Sequence, residues 1–251
     1  EHVSHTESAE KDVILSTPTA IAVICSFIRT MEKLLECDSL SPCGNSSTTS
    51  EIAHILSRIP PFSIEHTPSI STHADTHVIT GHNLHMDCRF SFFQGVKSPL
   101  NNFYKCDMRI DGYIWPTVEH YFHYAKAVYF NDINAANEIK KAPTPMIAKM
   151  KGRRVKNFNA QKWDKISTTV MTKAVLKKFT KNHECMNILL ATGDNVLVEC
   201  GVHDKIWAIG VDISSREHII DPSKWNGENR LGKILILVRE YIKSLKKMST
   251  L

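Results

Sequence analysis

Residues 111–130, DGYIWPTVEHYFHYAKAVYF, constrain this chain more than any other stretch. Asp111-Gly112 stands between apolar neighbours, and such a pair predicts a tight hairpin, because both central residues of the favoured turn need positive φ. Trp115-Pro116-Thr117 then ends the extended run and opens a helix, proline's fixed φ being suited to a first turn. The expected helix, 117–130, carries Tyr121, Phe122, Tyr124, Tyr129 and Phe130. Glu119, His123 and Lys126 recur at i, i+4 and i+7, so they share one stripe. A row of this kind is commonly a solvated ion-pair face worth a few tenths of a kcal/mol. Five rings cannot all occupy the opposite face, however, so part of the stripe must border aromatic surface. A carboxylate there has a raised pKa or needs a cationic partner.

The rest of the chain reads as one domain with an appendage. Residues 1–85 carry ten acidic and four basic side chains, a net charge of −6, whereas 86–251 carry +11. The acidic front and the basic remainder therefore expect different partners, and the basic part suits an anion such as a nucleotide phosphate, or nucleic acid. A hydrophobic content of 42% allows a proper core. Seven cysteines without a C-x-x-C pair exclude zinc-finger and thioredoxin spacings. Their odd number and irregular spacing suggest reduced thiols and an intracellular setting, cytoplasmic or nuclear. His77, His82 and His85 are read as surface residues of a polar loop, with a metal site the minor alternative.

In order, residues 1–15 read as mobile. Thr17-Pro18 opens a helix over about 18–37, whose apolar run is too short to span a bilayer and lacks a basic signal-peptide start. That helix is expected to pack on the following domain or to bind a protein partner. Residues 38–85 read as a Ser/Thr/Pro-rich linker with one or two helical turns over 51–58. The division expected is 1–87 as an acidic extension and 88–248 as the main domain. In the latter, 89–94 reads as a strand. Helices follow the hairpin at 117–130, 132–141, 144–152, 160–181, 184–191 and 231–245. Gly152 is expected to end the third of these in a left-handed conformation, followed by a basic turn with Arg153. Residues 195–199 read as a buried strand and 204–210 as a short strand or loop. The fold class is thus mainly α with a few short β-strands.

Several blocks carry a resemblance. WPTVEHYFHYAKA is similar to the signature of the NADAR domain, also called the YbiA-like family. Further matches follow in order at 100–104, Met171, Lys178-Phe179, 189–193, Val198-Glu199, Asp204, Trp207, 227–232 and Arg239, covering about two-thirds of the chain. The resemblance implies a compact helical fold and an N-glycosidase acting on a base-like group attached to ribose. The substrates implied are ribosylamino-pyrimidine phosphates or ADP-ribosylated bases, free or on nucleic acid, with no cofactor, no metal and no membrane. Cleavage of a C1′–N bond passes through an oxocarbenium-like state, which carboxylates stabilise. Glu119 is therefore assigned to the cation or to a water, and Asp204 to proton donation or water orientation. Without the resemblance, Asp204 would read as an ordinary turn aspartate.

Trp163 and Trp207 are candidates to stack on a base or sugar, although a lone Trp is more often core. Lys126 is expected to bind phosphate or tune Glu119, and Arg153 to bind phosphate. Asn102, Asn229 and Arg230 are candidates for sugar hydroxyls or phosphate, with helix N-capping the alternative for Asn229. Two blocks depart from the family pattern: Leu100-Asn101-Asn102-Phe103 replaces Leu-Ser-Asn-Phe, and Trp207-Ala208-Ile209-Gly210 replaces Trp-Gly-Ile-Gly. An alanine forced to positive φ costs on the order of 1 kcal/mol, so Ala208 could displace Trp207 and stop turnover. The alternative reading is a non-catalytic NAD or ADP-ribose binding module recruited through its N-terminal helix. A nucleic-acid-binding module ranks third, because the motifs are acidic and aromatic.

Overall fold

The computed structural model describes residues 29–33, 50 and 89–249, together with the backbone of strands at 77–79 and 84–86. The expectations for 1–28, 34–49 and 51–58 lie outside these residues. Residues 29–33 are helical within the span expected for the N-terminal helix, and Met31 is fully buried in the main core.

A mixed four-stranded sheet comprises β1 (His77–Ile79), β2 (Leu84–Met86), β3 (Phe90–Phe93) and β6 (Val196–Glu199), in that order. β2 pairs antiparallel with both β1 and β3, whereas β3 and β6 run parallel. The reading of 77–85 as loop is thereby corrected: its strands extend the sheet outward from β3, across the expected boundary at residue 87. The signal was missed because runs of three residues are too short to show alternation.

Strand alternation splits β3 and β6 between two cores. Phe90, Phe92 and Val198 pack with Ile209 and Ile219 on one side, while Phe93 and Leu197 join the helical core on the other. Glu199 is two residues beyond Leu197, so it shares the helix-facing side.

The hairpin of β4 (Met108–Ile110) and β5 (Tyr113–Trp115) turns at Asp111 and Gly112, with φ of 53° and 78°. Both central residues are left-handed, as the Asp-Gly signal requires. The helices are α1 (Val118–Tyr129), α2 (Ile133–Lys140), α3 (Pro145–Gly152), α4 (Ala160–Lys181), α5 (His183–Ala191), the short α6 (Arg216–Ile219) and α7 (Arg230–Met248). Side chains of Thr117, Asp132, Thr144 and Asn159 accept backbone N–H bonds at the starts of α1 to α4, which explains the close agreement with the expected boundaries. Among the described residues, no helix is long and apolar enough to cross a membrane. Cys106, Cys185 and Cys200 are buried free thiols.

α1 runs through the middle and packs against α2, α3 and α4. The hairpin is tied to the helices through Asp111: Lys173 Nζ of α4 lies 2.6 Å from Asp111 Oδ1, and Tyr121 OH of α1 donates to Asp111 Oδ2 at 3.0 Å. Both charges are buried. Removing one partner of such a pair leaves the other charge uncompensated. Lys173→Met should therefore cost about 3–5 kcal/mol in urea unfolding, and a loss below about 1 kcal/mol would show that the hairpin does not depend on the pair.

Candidate active site

The polar stripe of α1 faces inward. Glu119, His123 and Lys126 are 7%, 7% and 8% exposed, so the solvated-face alternative is excluded. His123 Nε2 donates to Glu119 Oε1 at 2.9 Å, and Lys149 Nζ of α3 lies 3.9 Å from the same oxygen. The Glu119 backbone N–H donates to Asn102 O at 3.2 Å. Burial pushes the Glu119 carboxyl up. The His123 hydrogen bond and charge, then Lys149 and His120, outweigh it, and the pKa ends below the ordinary value. Glu119 is thus held ionised in an enclosed place.

The neighbouring histidine has a different task. His120 donates from Nε2 to Ala142 O at 3.1 Å and lies 2.7 Å from Thr117 Oγ1 through Nδ1, pinning the α2–α3 turn to the start of α1. Gly152 also departs from expectation. It is the last residue of α3 and its φ is not positive. A Cβ there would lie 2.1 Å from His123 Nδ1, so glycine serves close approach of the ring. The same histidine that fixes Glu119 is held by a missing side chain.

A second acid stands nearby, and it carried no assigned role in the sequence reading. Glu199 ends β6 on the side facing the helices. Asn101 Nδ2 donates to its Oε1 at 3.0 Å, while Oε2 is closed to solvent and has no hydrogen-bond partner among the described residues. Burial, then the charges of Asp204 and Glu119, push its pKa up to about 8. The consecutive Asn101 and Asn102 thus hold the two glutamates, one through a side-chain amide and one through a backbone carbonyl. In sequence, Glu199 stands in a run read as a buried strand and in the Val198-Glu199 match to the family, with no role attached. Only the pairing of β6 with β3 reveals which way it faces.

Asp204 is half-buried and its Oδ1 accepts from the backbone N–H groups of Ile206 (3.0 Å) and Trp207 (2.8 Å), the arrangement of a turn aspartate. It holds the backbone that carries Trp207, and its charge reaches Glu199. Trp163 and Trp207 meet the same ring from different elements, with centroids 5.2 and 5.4 Å from Phe122. Trp163 is also walled by Tyr129 and Phe130 and is buried, whereas Trp207 is half-buried. Ala208 is not at positive φ, so the departure from the family glycine introduces no backbone strain at Trp207.

The expected cations redistribute. The lysine among the leading influences on Glu119 is Lys149. Lys126 Nζ instead sits 3.9 Å from the Phe158 ring centroid, and burial, followed by the exposed Arg153, lowers its pKa. Asn102 Nδ2 contacts Met171 Sδ at 3.4 Å. Asn229 occupies the N-cap position of α7 at φ 52° but makes no capping bond. Its amide bridges β6, donating to Leu197 O at 2.8 Å and accepting from Glu199 N at 3.0 Å. Arg230 is tied to Asp164 at 2.6 Å and Glu228 at 2.7 Å. The structure therefore gathers Glu119, Asp204, Trp207 and the Asn102 backbone about Glu199 and Phe122. Asn229 supports Glu199 from behind, and Arg230 is engaged elsewhere.

The model of the NADAR domain matches residues 89–243. The chain belongs to the NADAR family. Protein irg-1 of Caenorhabditis elegans is 37% identical over 159 residues, 61% of this chain and 74% of that protein. N-glycosidase YbiA of Escherichia coli is 33% identical over 143 residues, 57% of this chain and 80% of that protein. The NMR structure of E. coli YbiA superimposes with a TM-score of 0.53 at 29% identity, covering 68% of this chain and 92% of that one. The mainly helical fold with short strands is thus that of a NADAR relative.

The depressed Glu119 carboxyl has a consequence for stability. Its stabilisation is present above the unfolded value of about 4.5 and is lost as pH falls through the lower folded value. His123→Ala removes the main cause of that depression. The variant should lose about 1.5–3 kcal/mol at pH 7, the range for a hydrogen bond to a charged group. Urea unfolding at pH 7 and pH 3 measures this, and wild type and variant should differ less at the acid end.

Proposed function

We propose that the protein is an N-glycosidase that hydrolyses the ribose C1′–N bond of a phosphate-bearing, nucleotide-like substrate. The observation that carries this reading is an ionised carboxylate, Glu119, locked by His123 in a buried aromatic setting. Departure of the base leaves positive charge at C1′, and a nearby carboxylate in a poorly solvated site stabilises that charge far better than water does. Glu119 also serves to orient or deprotonate the attacking water. Asp204 adds negative charge beside Glu199 and holds the Trp207 backbone, and the Trp207 ring offers a flat face for the base.

The phosphate assignment draws on Lys126 and Arg153. Among the described residues neither has a carboxylate partner, and the Lys126 pKa is lowered by burial first and then by repulsion from Arg153. Two like charges gathered without an acid between them suit an anion. Ribosylamino-pyrimidine phosphates and ADP-ribosylated bases both fit this pattern. Met31 buried in the core favours an N-terminal helix that packs on the domain over one that recruits a non-catalytic module.

Glu119→Gln preserves shape and removes the charge. It is expected to lower kcat by roughly 10²–10⁴-fold, the span attributed to a positioned acid or base, with an unchanged circular dichroism spectrum. Release of free base from ADP-ribosylated guanine and from ribosylamino-pyrimidine phosphate, followed by chromatography, tests both the activity and the residue. Turnover by the variant at the wild-type rate would remove Glu119 from the mechanism.

A further inference from the structure

We propose that Glu199 is the proton donor of this site, delivering a proton from Oε2 to the nitrogen that leaves the sugar. The inference rests on the N-glycosidase reading and assigns the half of the reaction that Glu119 cannot perform. An ionised carboxylate has no proton to give, and most bases leave a sugar poorly as anions.

The division between the two acids follows from their partners. Glu119 on α1 receives the hydrogen bond of the His123 imidazole and the field of Lys149. Glu199 receives only a neutral amide, Asn101 Nδ2, on Oε1. The groups facing it are Glu119 from α1, Asp204 from the loop after β6, Lys149 from α3 and Lys178 from α4. Of the two lysines acting on it, Lys178 is fully buried and its Nζ donates to Asn101 O at 2.8 Å. Two carboxyl groups in one low-dielectric site cannot both ionise cheaply, so the proton settles on the one with the weaker support. That group is Glu199, and burial with two neighbouring negative charges raises it to about 8.

Geometry points the same way. Oε2 is closed to solvent and has no partner among the described residues, a costly arrangement for an ionised oxygen. Glu199 as a whole is only half-buried, so a turn of its side chain brings that oxygen to a substrate. The backbone behind it is fixed, because Glu199 N donates to Asn229 Oδ1 and β6 pairs with β3. These bonds fix the backbone of Glu199 and leave its side-chain torsions to bring Oε2 to a substrate.

The step balances as follows. The C1′–N bond breaks and its electron pair goes to nitrogen, which takes the proton from Glu199 Oε2. Water adds through oxygen to C1′ and loses a proton to Glu119. The products are the free base and the sugar with a hydroxyl at C1′. Glu199 is left ionised and Glu119 protonated, and transfer of one proton between them restores the starting state.

Leaving groups separate this role from a structural one. A neutral base such as guanine needs a proton on departure, whereas nicotinamide leaves NAD or its mononucleotide already neutral. Glu199→Gln should lower kcat on an ADP-ribosylated guanine or a ribosylamino-pyrimidine by roughly 10²–10³-fold, with KM little changed. The same variant should cleave the N-ribosyl pyridinium bond at close to the wild-type rate, while Glu119→Gln loses both activities. Wild-type kcat/KM on the proton-requiring substrate should fall as pH rises through about 8, where the donor ionises. Equal losses on both leaving groups would overturn the donor assignment and leave Glu199 a positioning residue, and so would undiminished turnover of the guanine substrate. Carbon-13 NMR of the free protein's carboxyl groups is independent of substrate: a Glu199 resonance titrating near an ordinary 4.5 also overturns the assignment. A wild-type protein that releases base from none of these substrates would instead sink the N-glycosidase reading, with the donor role falling alongside it.

Discussion

α1 is enclosed by other elements along nearly its whole length, and that enclosure governs the rest of the molecule. A helix that reaches solvent on one face can leave its polar side chains there. α1 has little such face, so each polar group it carries must find a partner inside or bear a desolvation cost of a few kcal/mol. Thr117 and His120 satisfy each other and the Ala142 carbonyl. Tyr121 reaches the Asp111–Lys173 pair. Glu119 takes His123 and Lys149. Much of the surrounding architecture consists of the groups that make those partnerships possible.

The sheet supplies the other half of the site by a different rule. β6 runs parallel to β3 between two cores, so alternate residues face opposite sides. Glu199 falls on the helical side, where a Leu or Val would ordinarily sit. Its tolerance there rests on asparagines: Asn101 supplies one amide to its carboxyl, and Asn229 clamps its backbone while its own N–H reaches Ala208 O at 3.2 Å. The position of Asn101 is one of the two departures from the family pattern, and its longer amide side chain is what touches Glu199. The other departure, Ala208, has an ordinary φ and leaves the loop geometry intact.

Local signals in the chain translated into structure wherever the interaction is between near neighbours. Asp111-Gly112 forms its left-handed turn, and the Thr and Asn caps set the helix starts, because each depends on residues three or four positions away at most. Signals that depended on distant partners were ambiguous or misleading. Lys126 lies on the Glu119 stripe, yet the lysine among the leading influences on Glu119 is Lys149, brought from α3 by helix packing. Gly152 ends its helix as expected, but without the left-handed conformation, and serves as clearance for an imidazole ring. Asn229, a candidate for sugar hydroxyls or phosphate with a helix cap as the alternative, is a bracket on a strand thirty residues upstream.

What the sequence alone determined is the set of parts: a hairpin, a ring-loaded helix with an acid and a histidine one turn apart, capped helices around it, and the motif order of the NADAR family. Which acids meet, and how their surroundings push their pKa values apart, was decided only by tertiary structure. The reason is that a carboxyl group's charge state depends on burial and on charges several ångströms away. Those distances are set by how β6 and three helices close around one another, and no spacing along the chain encodes them.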